Sequence, residues 1–242
     1  TLKSIPLLSI KKNFDEFENK IYSENNVNVL HFDWVSENII ECQKILNNKS
    51  NHLNIFKTHS VRHKKFTNET VNAGFIYIVR DPRDIVVSFK NFSGKKFDEI
   101  INELLFQKKL MINTNGAMEL LSTWDLHVQS WLNYNTVPRL IIRYEDLKSN
   151  PKEIIINIKE FLNKIHKLNI DLSDQQIDQV IQNTNFNNLR TLENQNGFDE
   201  ATRHSKFFRS GKLNQWKDIL SNTQVQIIDN NLQLLMKYFN YI

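Results

Sequence analysis

The chain has 242 residues, 40% of them hydrophobic and 24% charged, with a formal net charge of +4. This length and composition suit one α/β domain with a continuous core and exclude disorder as the dominant state. The single Cys42 excludes an intrachain disulfide, and the sequence predicts neither a membrane span nor a nucleic-acid partner. The N-terminus lacks the pattern of a secretory signal, so we expect a cytoplasmic location.

Short β-branched runs alternate with longer stretches of helical period, which is typical of βαβ units around a parallel sheet. The candidate strands are residues 28–32, 54–57, 74–80 and 139–143. The run at 74–80 is nearly continuous in apolar residues, as in strands that are buried on both faces. The predicted fold class is therefore α/β, with a mostly parallel sheet flanked by helices, in a single domain over residues 1–242.

The longer stretches predict helices at residues 97–111, 118–134, 152–162 and 223–239. Trp124 and Trp131 lie seven residues apart on one face of the second helix, which favours core packing. Pro151 suits the first turn of the third helix, with Asn150 as its cap. Residues 187–206 are polar and poorly periodic, so we expect a mobile loop or lid there.

Three candidate strands end on polar side chains. These ends are Lys57-Thr58-His59, Arg80-Asp81-Pro82-Arg83 and Arg143-Tyr144-Glu145-Asp146. Because parallel strands open at their carboxyl ends onto one crevice, the three ends together predict a ligand site. Arg80 closes its strand, and Ser88 lies about two turns along the helix that follows, so the two side chains can bind a phosphate from two sides. A plain ion pair of Arg80 with Asp81 or Asp84 is an equally open interpretation.

Residues 76–89, IYIVRDPRDIVVSF, resemble the 3'-phosphate-binding signature of the PAPS-dependent sulfotransferases. These enzymes transfer a sulfuryl group from PAPS, 3'-phosphoadenylyl sulfate, and release the nucleotide PAP. Residues 57–59 are similar to the Lys-Thr-His segment of the family, and residues 143–151 to its next block. Residues 183–186 resemble its Thr-Ser-Phe segment, and residues 208–217 its Arg-Lys-Gly loop followed by a tryptophan. All five blocks occur in the order of the family.

The resemblance implies a P-loop nucleotide-binding fold and a role for each matching residue. His59 is expected to be the catalytic base, and Lys57 to place positive charge near the transferring group. The expected ligands of the 3'-phosphate are Arg80, Ser88 and Arg209, with Ser210 and Gly211 in the same loop, and the expected neighbours of the adenine are Tyr144, Thr184 and Phe186. This scheme uses PAPS as the donor, needs no metal, and takes a hydroxyl or amine on a small acceptor.

The sequence departs from the family pattern in three places. The Lys-Ser-Gly-Thr-Thr-Trp loop that holds the 5'-phosphosulfate is not found, and residues 1–4 fit only the tail of such a loop, which predicts that the first strand and the loop lie outside these 242 residues. Ser210 stands where the family has lysine. The dimer motif of the family would need Thr, Val and Glu at Ser221, Asn222 and Gln226, so a homodimer of that type is not supported.

Two alternative functions stay open. A non-catalytic relative that binds PAP or PAPS is favoured if the phosphate loop is missing from the natural protein. A P-loop phosphotransferase is disfavoured, because the sequence has no Gly-x-x-x-x-Gly-Lys-Ser/Thr loop and no metal-binding aspartate after an apolar strand. His127, between the two tryptophans, is expected to pack or to line an acceptor pocket. Residues 113–117 and 193–202, read as loops, show no chemistry that identifies the acceptor.

Overall fold

The computed structural model describes residues 55, 57–63, 72–107, 110–112, 118–166, 169–198, 201 and 204–242. The strand predicted at residues 28–32, the segment 1–4 and the loop at 113–117 lie outside these residues, as does Cys42. Of the strand predicted at 54–57, only Ile55 and Lys57 are described.

Both strands and helices are present among the described residues, as the sequence predicts. In chain order they are β1 (Phe75–Val79), α1 (Pro82–Ser93), α2 (Phe97–Phe106), β2 (Leu110–Ile112), β3 (Met118–Leu120), α3 (Trp124–Leu132), β4 (Arg139–Arg143), α4 (Tyr144–Ser149), α5 (Pro151–His166), α6 (Asp174–Asn183), α7 (Phe186–Asn196), α8 (Trp216–Ile219) and α9 (Asn222–Tyr238). β1 pairs with β4 in a parallel sheet flanked by helices, which confirms the α/β class.

The chain forms two compact units. Unit 1 comprises Thr1–Phe75 and Glu103–Pro138, and unit 2 comprises Ile76–Asn102 and Arg139–Ile242. In unit 1, Trp124 and Trp131 are only 8% and 7% exposed, so their predicted core role is confirmed. In unit 2, the buried side chains of α1 pack with those of α9, whose Ile228 and Met236 are fully buried.

Local sequence explains where α1 begins and ends. Asp81 is its N-cap and accepts a hydrogen bond from the backbone N–H of Arg83, and Pro82 occupies the first turn, where its missing N–H costs nothing. Gly94 ends the helix with φ of 73°, in the left-handed region that favours glycine. Only Arg80 and Asp81 separate β1 from the helix, so the position of the Arg80 main chain is fixed by both elements.

The strands predicted at 74–80 and 139–143 are confirmed as β1 and β4. The expected burial of β1 on both faces is wrong, because Ile76 and Ile78 are 38% and 54% exposed whereas Val79 is 2% exposed. A continuous apolar run does not distinguish one sheet face from the other, and this is why the sequence overstated the burial of this strand.

Two predicted helices are shorter than expected, because an antiparallel pair of strands lies between them. α2 ends at Phe106 rather than at 111, and α3 begins at Trp124 rather than at 118. β2 pairs with β3, with Leu110 opposite Leu120. Ser122 has φ of 57°, which a helix does not allow, and Thr123 is extended at the start of α3. A short apolar run satisfies either a helix or a strand, so periodicity alone missed the hairpin.

The mobile loop predicted at 187–206 is wrong over its first half, where α7 is a regular helix. The side chain of Asn185 caps its start by accepting from the backbone N–H of Asn188 at 2.9 Å, and Gly197 follows its end with φ of 74°. The buried position on this helix is occupied by Glu193, which is 6% exposed. An acid where an apolar residue is expected hides the helical period, and this is why the segment looked aperiodic.

The two remaining predicted helices are confirmed, whereas α4, α6 and α8 were not predicted. α5 begins at Pro151 and continues to His166, four residues beyond the predicted end, and α9 covers the predicted final helix within one residue at each end. Ser221 opens α9 with a capping box, in which its hydroxyl accepts from the N–H of Gln224 and the Gln224 side chain accepts from the N–H of Ser221. No helix among the described residues is long and apolar enough to cross a membrane.

Candidate functional site

Arg80 lies directly after β1 and forms the centre of the candidate site in unit 2. Its guanidinium carbon is 4.5 Å from the centroid of the Tyr144 ring, which follows β4. Its Nη2 lies 3.3 Å from the carbonyl oxygen of Lys212 and 3.5 Å from Oδ2 of Asp84. The Nε atom is buried and makes no hydrogen bond to the described residues. The predicted ion pair with Asp84 is therefore present, and the N–H group at Nε of Arg80 has no acceptor among the described residues.

Asp84 joins Arg80 to the segment that follows residues 209–212. Its side chain is 2% exposed, and its two oxygens accept from the backbone N–H groups of Asn214 at 2.9 Å and Trp216 at 3.2 Å. A buried carboxylate is stable only when it is paired and hydrogen-bonded, and here it is both. From the sequence, Asp84 was expected at the turn into the helix and as a possible ion-pair partner of Arg80, but its bonds to residues 214 and 216 were not predicted. Its place in the first turn of α1, where carboxylates are favoured, was the available signal.

Arg83, in the first turn of α1, stabilises the start of this helix through several buried contacts. It is 3% exposed, donates to Asp81 at 2.8 Å and to the carbonyl oxygen of Tyr241 at 2.8 Å, and lies 3.3 Å from Asp229. Its guanidinium carbon is 3.8 Å from the centroid of the Trp216 ring. Burial raises the pKa of Asp229, and the positive charge of Arg83 opposes that rise. These contacts fix the strand end that carries Arg80.

The ends of β1 and β4 meet, as expected for parallel neighbours. The backbone N–H of Asp81 donates to Glu145 at 3.1 Å, and the hydroxyl of Tyr241 donates to the other oxygen of Glu145 at 3.1 Å. Burial and the nearby Glu145 both raise the pKa of Tyr241 above its ordinary value, which keeps its hydroxyl a donor. The two strand ends named by the sequence are therefore bonded to each other.

A cavity of about 310 Å³ lies beside this network in unit 2. Its lining includes Asp81, Arg83, Glu145, Trp216 and Tyr241. None of the eight residues predicted to bind the nucleotide lines it. In this lining Arg83 is paired with Asp81, and Arg143 lies near Glu145 and Asp146, so we assign the cavity to the support of α1 rather than to a ligand.

The loop at 209–211 packs against Phe186, the first residue of α7. Gly211 has φ of 61°, and a Cβ atom on it would lie 2.8 Å from Cε2 of Phe186, closer than such atoms approach each other. Glycine is required here on both counts. The ammonium of Lys148 is 5.8 Å from the centroid of the same ring, and Arg209 donates to Gln215 at 3.1 Å.

The remaining predicted ligands occupy more open positions of unit 2. Ser88 on α1 and Thr184 at the end of α6 are exposed, and the Thr184 hydroxyl donates to the carbonyl oxygen of Val180 at 2.7 Å. Arg209 is also exposed, and Ser210 is half-buried. The described contacts of Arg80 reach Tyr144 and the loop next to Gly211, but they include neither Ser88 nor Arg209.

The predicted catalytic residues Lys57 and His59 lie in unit 1, on a segment whose main chain is tightly held. Their side chains are exposed, whereas the next residues, Ser60 and Val61, are 4% and 0% exposed. His127 Nε2 lies 3.0 Å from the carbonyl oxygen of His59. Because a carbonyl only accepts, Nε2 carries the hydrogen in this contact.

Further bonds hold the residues that follow His59. Trp131 Nε1 donates to the carbonyl oxygen of Ser60 at 3.1 Å, and the N–H of Val61 donates to the carbonyl oxygen of Leu120 at 2.7 Å. The N–H of Leu120 in turn donates to the Ser60 hydroxyl at 3.1 Å. The segment is thus bonded to both β3 and α3. The sequence predicts packing for Trp131 but gives no signal for its hydrogen bond.

His127 lies on α3 and bonds the main chain of His59, whereas its expected place beside an acceptor pocket stays a prediction. Burial lowers the pKa of His127, and the hydrogen bond to the His59 carbonyl partly opposes this. The imidazole is therefore held neutral near pH 7, as a donor from Nε2. This favours a supporting role for His127 beside the exposed His59.

Comparisons with known proteins place this chain among sulfotransferases. A family model described as the sulfotransferase domain matches residues 5–240. The chain is similar to the amine sulfotransferase of Oryctolagus cuniculus, with 29% identity over 177 residues, which cover 69% of this chain and 56% of that protein. It is also similar to sulfotransferase 1A1 of Mus musculus, with 28% identity over 66% of this chain and 55% of that protein.

Among solved structures, the fold is similar to that of mouse sulfotransferase SULT7A1 complexed with PAP. The TM-score is 0.51 at 21% identity, and the match covers 67% of this chain and 58% of that chain. This likeness confirms the predicted fold, of the P-loop nucleotide-binding type. The chain spans about half the length of the curated relatives it matches.

Proposed function

The chain belongs to the sulfotransferase domain family, and on that basis we propose that the protein transfers a sulfuryl group from PAPS to a hydroxyl or amine of a small acceptor. The observation that carries the proposal is Arg80, a cation held by Tyr144 and Asp84 at the end of β1 with a buried Nε that has no described partner. A buried donor without an acceptor is unfavourable, so this position suits a bound anion.

The residues of unit 2 fit a nucleotide that carries a 3'-phosphate. Arg80, Ser88 and Arg209 would hold that phosphate, and the Ser210–Gly211 backbone would close over it. Tyr144, Thr184 and Phe186 would enclose the adenine, because an aromatic ring offers a base a stacking surface. At Gly211 a side chain would strain the backbone and collide with the Phe186 ring, which agrees with close packing of this loop on that ring. Ser210 lacks the ammonium that the family has at this position, so Arg209 supplies the charge of the loop.

Unit 1 supplies the proton chemistry in this proposal. His59 takes the proton of the acceptor hydroxyl or amine as the new bond to sulfur forms and the bond between sulfur and the bridging oxygen of the donor breaks. Lys57 stabilises the negative charge that grows on that oxygen, and the leaving group departs as PAP. Because the leaving group is already part of the donor, the protein mainly positions the reactants and stabilises charge.

We further propose that the acceptor is a small molecule and that the protein works in the cytoplasm, which agrees with its single cysteine. The test is transfer of label from PAPS by the full-length gene product, with phenols, aliphatic alcohols and amines as acceptors. We expect at least one class to be labelled, and His59→Ala to abolish most of the labelling. Tight PAP binding with no labelling of any acceptor would favour the non-catalytic relative instead.

A further inference from the structure

Glu193 is a buried acid on α7 that the proposed function has not used. It is 6% exposed. One carboxyl oxygen accepts from the backbone N–H of Phe207 at 2.6 Å, and the other accepts from the N–H of Phe208 at 2.9 Å. The next residue is Arg209, the first of the loop assigned to the 3'-phosphate. Glu193 therefore holds the main chain immediately before that loop.

The same face of α7 also holds the end of this loop. Phe186 and Glu193 are seven residues apart, which is two helical turns, so they lie on one side of the helix. Phe186 packs against Gly211, while Glu193 binds the N–H groups of residues 207 and 208. Lys206 adds a hydrogen bond from its ammonium to the side chain of Asn194. Residues 206–211 are thus attached to α7 along its length.

A carboxyl group is suited to this task in a way that an apolar residue is not. Two successive N–H groups of an irregular segment need acceptors once they are shielded from water, and a single carboxyl group offers two. Hydrogen bonds to an ionised acceptor are stronger than neutral ones. The ring of Phe198, 4.7 Å from that of Phe207 and 5.3 Å from that of Phe208 between centroids, adds apolar packing to the same segment.

We propose that Glu193 is a positioning residue for recognition of the 3'-phosphate: without touching the nucleotide, it keeps the loop at 209–211 in the conformation that binds it. The inference rests on the proposed function, because it assumes that this loop contacts the 3'-phosphate of PAP. It predicts that Glu193 governs the ratio of PAP affinity to that of adenosine 5'-phosphate, AMP, which lacks this phosphate.

The expected size follows from the population of the competent loop. The apparent affinity falls in proportion to the fraction of molecules in the binding conformation, so a loop closed in about one molecule in ten lowers PAP affinity about tenfold. In calorimetric titrations of the full-length protein, we expect Glu193→Ala to lower the affinity for PAP about tenfold and the affinity for AMP less than about twofold. Glu193→Gln keeps one acceptor oxygen and should give an intermediate ratio. Glu160→Gln, at an exposed acid on α5, is the matched control and should leave both affinities unchanged.

A second measurement keeps the test decisive if Glu193→Ala folds poorly. Hydrogen exchange should show protected amides at residues 207 and 208 in the wild type and faster exchange there in Glu193→Gln. Faster exchange with an unchanged ratio of PAP to AMP affinity would overturn the inference, as would protection that persists in the variant. A wild-type protein that binds PAP and AMP equally would instead overturn the proposed function, so the two failures are distinguishable.

Discussion

The two units hold their functional residues in opposite ways. In unit 2, side-chain charge is fixed: Arg80 is held by Asp84, and the segments before and after the loop at 209–211 are bonded to the buried carboxyl groups of Glu193 and Asp84. In unit 1, the main chain is fixed and the side chains are left exposed: α3 and β3 bond the backbone around His59, while Lys57 and His59 reach into solvent. In the proposed function this difference suits the two tasks, because a site for a constant anionic group gains from charges that are already in place, whereas a base must reach acceptors of varied shape.

The largest effect should come from unit 1, at the chemical step. His59→Ala should lower turnover by about two to four orders of magnitude, the usual contribution of a general base, with PAP affinity within a few-fold of wild type. Single-turnover transfer from labelled PAPS measures the first quantity and calorimetry the second. His63→Ala, four residues away in the same unit, serves as the control and should keep most of its turnover. If His59→Ala retained most of its turnover, His59 would not be the general base, and His127 would be the next candidate.

The next largest effect should come from unit 2, at the binding step. Losing a charge-assisted contact to a phosphate costs about 2 to 3 kcal/mol, so Arg80→Ala should weaken PAP binding by roughly thirty- to 150-fold. The same variant should bind AMP almost as the wild type does. Arg190→Ala, an exposed arginine on α7, is the matched control for the change in charge. If Arg190→Ala lowered PAP affinity as much as Arg80→Ala, the loss would come from the change in net charge and not from a contact of Arg80 with the phosphate.

The sequence could predict part of the candidate site but not the residues that support it. The ends of β1 and β4, with Arg80 and Tyr144 beside each other, followed from strand pattern and from the rule that parallel strands open onto one edge. The supports did not follow. Glu193 and Asp84 act by accepting backbone N–H groups from segments 14 to 132 residues away in sequence, and no local pattern encodes such a bond.

The same limit explains what was missed in the fold. The helix α7 was hidden because its buried face carries an acid in place of an apolar residue. The strand pair β2 and β3 was hidden because a run of three residues is too short to distinguish the helical period from the strand period. Helices with strong local signals, such as α9 with its capping box, were placed within one residue at each end. Sequence thus predicts local structure well where caps and periodicity agree.

A smaller effect should arise at Gly211, where two causes of strain can be separated. An alanine at a φ of 61° costs about 1 to 2 kcal/mol, and its Cβ would also collide with the Phe186 ring. Gly197→Ala is the matched control, because Gly197 has φ of 74° and no atom of the described residues lies within 4 Å of the added atom. We expect Gly211→Ala to weaken PAP about tenfold by displacing the loop, and Gly197→Ala to lower only the free energy of unfolding. Equal PAP affinities in the two variants would contradict the assignment of the loop.

The smallest effect should be a pH dependence of stability in unit 1. Because the pKa of His127 is below 6.5 in the folded protein, the folded state binds fewer protons than the unfolded state just below that pH. The free energy of unfolding should therefore be constant above pH 6.5 through this group and fall as the pH drops below it. His127→Gln keeps an N–H that can donate to the His59 carbonyl but does not titrate, so urea unfolding should show a weaker loss of stability at low pH. An identical pH profile in both proteins would contradict the neutral state assigned to His127.

The central claim is that unit 2 recognises a 3'-phosphate, and the most direct test compares PAP with AMP on the wild-type full-length protein. We expect calorimetry to give PAP a low-micromolar or tighter dissociation constant and AMP a much weaker one. A PAP concentration 100 times its dissociation constant should stabilise the folded state by about 2.7 kcal/mol, which a rise in melting temperature would report. Equal affinity for the two nucleotides would contradict the account, because Arg80, Ser88 and Arg209 would then have no phosphate to bind.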